Sequence, residues 1–399
     1  MFDSSTLFSN AFSGLKGNII RELYKYTSQP SFISFAGGNP SPETFPNEEL
    51  AEIAFKVLKE NSVACLQYGV SNGILPLREY IAEQMTAEGV PTEVENVVIT
   101  SGSQQSMDLL SRAVLNPGDR VLVESPTYVA ALKIFSIYGA RVEAVASDDE
   151  GLIPEALQEK LEEGPVKLLY LIPNFQNPTG ITLPWERRKQ IMEIVKNHNV
   201  LVIEDDPYGK LRYSGEPVPH MKTLDTEGQI AYFGSFSKII APGLRVAYVV
   251  CQEAIAQKLV LGKQNNDMHT PNLTQFIVNE FCRRGRLAPH IEDCCCVYKK
   301  KRDTMLSLLN EHFPKEIYWT KPDGGLFLWS KLPEGYSSMK LLEYAIPAKV
   351  AYVPGDSFFA DESGVNTMRL NFSNASEADM EKGLRLLGEQ IGRYLQVKK

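Results

Sequence analysis

Between Val97 and Val250 the chain repeats one pattern. A short apolar run ends in a turn rich in glycine, serine or acids, and a stretch of helical periodicity follows. Seven runs can be marked: Val97–Ile99, Arg120–Glu124, Arg141–Val145, Leu168–Ile172, Leu201–Glu204, Ile230–Phe233 and Arg245–Val250. Strands alternating with helices predict an α/β fold, a mostly parallel seven-stranded sheet with helices on both faces. The last two runs are joined by a short link without a crossover helix, which admits an antiparallel seventh strand. Further on, a long helix over Leu287–Leu309 leads into a smaller α+β part, with strands expected at Gly325–Leu332, Val350–Pro354 and Thr367–Phe372. The chain has 399 residues, beyond the size at which one core usually stops growing. The division expected is an N-terminal arm over 1–45 with a helical stretch Asn18–Tyr26, a large domain over 46–285, and a small domain over 286–399.

The turns after these runs carry chemistry. Gly234-Ser235-Phe236-Ser237-Lys238 follows a buried run, with Arg245 downstream. A lysine on such a turn, desolvated among cationic or apolar neighbours, has its pKa lowered toward the neutral amine that a Schiff base needs. Two hydroxyls and a guanidinium nearby suit a phosphate. An ordinary surface lysine in a polar turn gives the same short pattern. Leu201 to Tyr208 is an apolar strand ending in acids, so Asp205 can hold a pyridinium nitrogen protonated, and Tyr208 can donate to a phenolic oxygen. An acidic strand-end loop is the plainer alternative. Asn177, in Asn174-Phe175-Gln176-Asn177-Pro178-Thr179-Gly180, can bond the same oxygen or simply belong to a turn. In Thr100-Ser101-Gly102-Ser103-Gln104-Gln105 a helix is expected to begin near Ser103, where free N–H groups attract an anion. Ser103 as a plain N-cap is the alternative. Tyr128 can stack on a planar cofactor or be a half-buried turn aromatic.

Taken in order, these motifs resemble the fold-type I pyridoxal phosphate aminotransferases of class I/II. The resemblance runs from Gly37-Gly38-Asn39-Pro40 to Arg369. It is strongest to the α-aminoadipate/kynurenine and aromatic, multi-substrate branch, through Phe35-Ala36-Gly37-Gly38-Asn39-Pro40, the Thr100 to Gln105 segment, Ile203 to Tyr208 and Ser235 to Ile239. The resemblance implies pyridoxal 5′-phosphate as cofactor and a role for each matching residue. Lys238 would carry the cofactor, Asp205 would pair with its ring nitrogen, and Asn177 and Tyr208 would bond its phenolic oxygen. Tyr128 would stack on the ring. Ser103, Gln104, Ser235, Ser237 and Arg245 would hold the phosphate. Tyr68 would reach the phosphate of the neighbouring subunit, which implies a homodimer. Arg369 would take the substrate α-carboxylate in a bidentate grip, with Gly38 and Asn177 lining the substrate site. Apart from the resemblance, Arg21 beside Leu23 and Tyr24 gives the arm a mixed cationic and apolar turn expected to fold over that site. Asn39 departs from the apolar residue many relatives carry before the proline.

Composition narrows the classes. A net charge of −8 argues against a nucleic-acid surface. No apolar run is long enough to span a bilayer. The start Met1-Phe2-Asp3-Ser4-Ser5 lacks the basic then apolar pattern of a signal peptide. Six cysteines, three consecutive at Cys294 to Cys296, read as reduced thiols of a cytoplasmic protein. The five histidines show no metal-binding spacing. The resemblance implies amino-group transfer from an aromatic, branched or 2-aminoadipate-like L-amino acid to a 2-oxo acid, expected to be 2-oxoglutarate. Lys238 would act as general base in a ping-pong cycle. The alternatives are a β-lyase or decarboxylase on the same fold, or a cofactor-binding sensor module. A sensor of this family would carry a fused DNA-binding domain, and the stretch before the first motif is too short for one.

Overall fold

The computed structural model describes residues 7–13, 17, 23, 25–26, 29, 31–361 and 363–397. Seven strands form its central sheet: β1 (Val97–Thr100), β2 (Arg120–Glu124), β3 (Arg141–Val145), β4 (Leu168–Leu171), β5 (Leu201–Asp206), β6 (Ile230–Ser235) and β7 (Ala247–Val250). Their order is β1-β7-β6-β5-β4-β2-β3. β3, β2, β4, β5 and β6 pair in parallel. β7 runs antiparallel between β6 and β1, as its short link admits. The carboxyl ends of β1, β2, β4, β5 and β6 therefore share one edge, where open α/β sheets bind ligands.

Continuous apolar runs form these strands because both faces are covered. Along β2, Val121 and Val123 join one apolar cluster while Leu122 joins another. β4 divides the same way, with Leu168 and Tyr170 on one face and Leu169 and Leu171 on the other. Helix α1 (Ser103–Val114) covers the first face through Met107 and Leu110, and helices Pro154–Glu162 and Trp185–Val195 cover the second. At the edge, β3 carries Glu143, which pairs with Arg120 of β2. Charge on an edge strand discourages pairing with another chain. Helix α2 (Glu253–Gln264) packs on α1.

Helix α3 (Leu287–His312) leads away from this body. A second sheet contains β8 (Tyr318–Trp319), β9 (Phe327–Lys331), β10 (Val353–Pro354) and β11 (Thr367–Asn371) in the order β8-β9-β11-β10. Its cluster joins Leu328, Met368 and Leu370 to α3 through Met305 and Leu309, and to the final helix α4 (Glu377–Val397) through Leu384 and Leu387. Leu23, Ile33 and Phe35 of the arm belong to the same cluster.

The expected strand Val350–Pro354 is divided. Val350–Ala351 pairs in parallel with Ile33–Ser34, whereas β10 pairs antiparallel with β11. The arm supplies a partner that no local pattern announces. Arg245 lies outside β7 because its backbone is left-handed, with φ +53°. Most of the expected helical stretch Asn18–Tyr26 lies outside the described residues. No described helix is long and apolar enough to cross a membrane.

Candidate active site

Lys238 sits on the turn that leaves β6. It is half-buried, and its Nζ donates to Gly38 O at 2.8 Å. Burial, with Arg369 and Arg245 nearby, pushes its ammonium down to about 8. The turn is tightened by Ser237 N–H donating to Ser235 Oγ at 3.1 Å. Lys238 is thus not an ordinary surface lysine.

Three acids end β5, and each has a separate task. Glu204 accepts the backbone N–H groups of Met221 and Lys222, both at 2.8 Å. Asp206 accepts from Gly209 N–H at 2.9 Å and from Tyr232 Oη at 3.2 Å. Asp205 is 3% exposed and takes one bond on Oδ2, from Tyr170 Oη at 2.7 Å. Its Oδ1 is buried without a partner. Burial raises this carboxyl to about 7, against the pull of the Tyr170 bond. Tyr170 pairs opposite Ile203, so Asp205 is its diagonal neighbour on the same face. Sequence reasoning missed Tyr170, hidden in an apolar run. A phenol inside a buried strand was the available signal, since its hydroxyl needs a partner.

Arg369 comes from the other sheet, on β11, and is 2% exposed. Its Nη1 donates to Asn177 Oδ1 at 2.8 Å and its Nη2 to Ala36 O at 2.7 Å, while Nε has no partner. The guanidinium lies over Phe327 at 4.2 Å and Phe358 at 5.2 Å from the ring centres. Burial lowers its pKa to about 10. Asn177 and Tyr208 are buried and hydrogen-bond each other, and Tyr208 meets Phe327 edge-on. Gly180, with φ +74°, closes this loop where a Cβ would press on Phe327 O at 2.6 Å. Tyr128 is half-buried within electrostatic reach of Asp205, Arg369 and Arg245, and burial raises its phenol.

The opposite end is more open. Gly102 has φ +99°, and Ser103 begins α1. Arg245 Nη2 donates to Ser101 O at 2.9 Å, crossing the turn where a Cβ on Gly102 would stand. Ser103 Oγ is buried without a partner, and Gln104 is exposed on the first helical turn. Tyr68 is 76% exposed and packs edge-on against His269. Arg21 lies outside the described residues. Among the described residues, no cluster of histidine, cysteine or acidic side chains could hold a metal ion.

The unpaired atoms fit pyridoxal phosphate. Asp205 Oδ1 lacks a donor, which a pyridinium N–H supplies. Ser103 Oγ, at a helix N-terminus beside Arg245, lacks a partner that a phosphate oxygen supplies. Arg369 Nε is a free donor suited to a carboxylate.

Comparison with known proteins agrees. The family model "Aminotransferase class I and II" matches residues 31–387. The chain is 43% identical to aromatic-amino-acid aminotransferase 1 of Thermococcus litoralis, covering 98% of this chain and 95% of the relative. It superposes on a multiple substrate aminotransferase from Thermococcus profundus with a TM-score of 0.95, at 40% identity over 99% of this chain and 100% of that one. An α-aminoadipate aminotransferase from Thermus thermophilus, solved with N-(5′-phosphopyridoxyl)-L-leucine, gives a TM-score of 0.93 at 38% identity, covering 99% and 100% of the two chains. Transamination is favoured over the lyase, decarboxylase and sensor alternatives. The chain belongs to the class I and II aminotransferases and is a pyridoxal phosphate-dependent transaminase that exchanges amino groups between amino acids and 2-oxo acids.

Proposed function

We propose a broad transaminase that takes aromatic, branched or 2-aminoadipate-like donors and uses 2-oxoglutarate as acceptor. The observation that carries this is the Arg369 corner. One buried guanidinium with a free Nε can grip any α-carboxylate, and the rings of Phe327 and Phe358 that lie against it offer apolar surface beside that grip. The names of the Thermococcus and Thermus relatives support the same range.

In this reading Lys238 holds the cofactor and, once free, moves the proton at the substrate Cα. Its lowered pKa keeps a neutral fraction near neutral pH. Asp205 would hold the ring nitrogen protonated, and the cofactor when bound supplies the electron sink. Asn177 and Tyr208 would bond its phenolic oxygen, and Tyr128 would cover its ring. Ser103, Gln104, Ser235, Ser237 and Arg245 would receive its phosphate. Gly38 releases Lys238 from its carbonyl and, with Asn177, lines the substrate side. Arg21 is assigned to acidic donors on sequence grounds alone.

We infer a homodimer in which Tyr68 completes the partner's phosphate site. Val63, Leu66, Tyr68 and Val70, each more than half exposed, support an apolar contact there. The arm, large part and small part are read as 1–45, 46–285 and 286–399. Six free cysteines support a cytoplasmic setting. The test is a panel of amino acids with 2-oxoglutarate, read as glutamate formed. Aromatic, branched and 2-aminoadipate donors are expected to react. Aspartate as the sole good donor would overturn the broad pocket.

A further inference from the structure

Behind the Ser101–Ser103 turn lies a charged cluster that the reading above does not use. Lys263, near the end of α2, is 0% exposed, and its Nζ donates to both carboxylate oxygens of Asp267 at 2.9 Å. It also donates to Gln105 Oε1 at 2.8 Å. The same Gln105 oxygen accepts Ser101 N–H at 2.7 Å, and Gln105 Nε2 donates to Asp267 Oδ2 at 2.8 Å. Ser101 Oγ donates to Asp267 Oδ2 at 3.1 Å and shares a bond with Thr270 Oγ1 at 3.1 Å. Ser101 O is the acceptor that holds Arg245. The N–H, hydroxyl and carbonyl of Ser101 are therefore all committed, two of them to groups that the Lys263–Asp267 pair fixes.

Lys263 is wholly buried while Asp267 keeps part of its surface in solvent, and desolvating the ammonium offsets much of their attraction. Apolar residues would pack α2 against α1 without that cost. At Asp267 burial opposes ionisation, yet the bonds from Gln105 and Lys263 outweigh it and hold the carboxyl below its usual range. What the charges add is direction: they set where Ser101 points, and so where Arg245 and the start of α1 lie.

We propose that the Lys263–Asp267 pair is a positioning device, acting through Gln105 and Ser101, that sets the Ser101–Ser103 turn and Arg245 for the cofactor phosphate. The proposal rests on the reading that this turn takes the phosphate. Lys263 and Asp267 are given no contact of their own with cofactor or substrate in this reading. They act on a binding surface through other residues, at a distance from the reacting carbon.

The test compares pyridoxal phosphate with pyridoxal, which lacks the phosphate. Apoprotein of the native sequence, of Asp267→Asn and of Ser101→Ala is titrated with each and followed by visible absorbance. Asp267→Asn is expected to weaken pyridoxal phosphate about tenfold, as loss of charge-assisted bonds would. Pyridoxal binding should change less than twofold. Ser101→Ala should show the same selectivity with a smaller loss. The double variant should be no worse than Asp267→Asn alone, because both act in one chain of contacts. Equal losses for both ligands, with a matching fall in apoprotein melting temperature, would overturn the proposal, as would unchanged affinity for pyridoxal phosphate. Should Asp267→Asn not fold, Ser101→Ala decides by the same criterion. If the native protein itself fails to prefer the phosphorylated ligand, the phosphate assignment falls. If it shows the preference and the variants keep it undiminished, only the positioning role falls.

Discussion

The two ends of the active site are built on opposite terms. At the proposed substrate end Asp205, Asn177, Tyr208 and Arg369 are all nearly inaccessible. At the proposed phosphate end Arg245 and Gln104 face solvent, and Tyr68 is an exposed ring. Burial at the first end moves Asp205 up to about 7, Arg369 down to about 10 and Lys238 down to about 8. Desolvation is the largest cause of each shift, joined at Lys238 by the charges of Arg369 and Arg245 and opposed at Asp205 by the Tyr170 bond. The open end works instead by geometry, with a glycine turn, a helix N-terminus and one crossing arginine. In the proposed reading reactivity is set where water is excluded, and retention where the partner subunit would close over the ligand.

The largest effect should come from Lys238→Ala. Turnover is expected to fall on the order of 10³-fold or more, while pyridoxal phosphate still binds noncovalently. Borohydride followed by peptide mapping should fix the cofactor on Lys238 in the native protein, and labelling elsewhere would remove the assignment. Capture of pyridoxal phosphate by native apoprotein should also titrate. The amine must be neutral, so capture should be slow below its pKa, rise through about 8 and level off above it. A midpoint near the ordinary lysine value would mean that burial does not tune this group.

Asp205→Asn comes next, at about 10²-fold in kcat, because it keeps the shape and removes the charge at the electron sink. Near-normal kcat would show that another residue governs the ring nitrogen. Arg369→Lys should raise KM about tenfold for every donor alike, since an ammonium cannot reproduce the planar grip. An effect confined to one donor class, measured across the panel, would contradict a shared carboxylate site. Tyr68→Phe should be smallest, a few-fold loss in cofactor affinity typical of one hydrogen bond at an exposed position. Sedimentation should find a dimer throughout, and a fully active monomer would break the comparison at its open end.

Much of this fold was legible because its strands are buried on both faces. A run such as Val97–Ile99 has one reading when a glycine turn follows it, and all seven runs of the sheet are strands. Lys238, Asp205 and Asn177 drew attention as polar residues beyond or at the ends of such runs, whereas Arg369, in the middle of β11, was marked only by the family resemblance. Residues whose partners are remote in sequence stayed hidden. Tyr170 looks like core until Asp205 arrives from the neighbouring strand. Lys263 sits in the polar stretch Lys263-Gln264-Asn265-Asn266-Asp267, which reads as surface although the lysine is wholly buried. β8 is two residues long, too short to carry a period. The division of Val350–Pro354 depends on Ile33–Ser34, more than 300 residues away.

Helix α3 has a mechanical consequence. Its 26 residues make a rod of about 39 Å. Cys294 and Tyr298 anchor it in the cluster of the central sheet, and Met305 and Leu309 anchor it in that of the second sheet. The stretch between, Lys299 to Thr304, has neither glycine nor proline at which to kink. A rod seated in two bodies carries a tilt of one to the other. A tilt of about 5° around its midpoint carries its far end by roughly 2 Å, given the rise per residue. That travel is comparable to the difference between a made and a broken hydrogen bond. The bond from Arg369 on the second sheet to Asn177 beside the first joins the same two bodies, so a change in the tilt of this helix would be felt as strain at that bond.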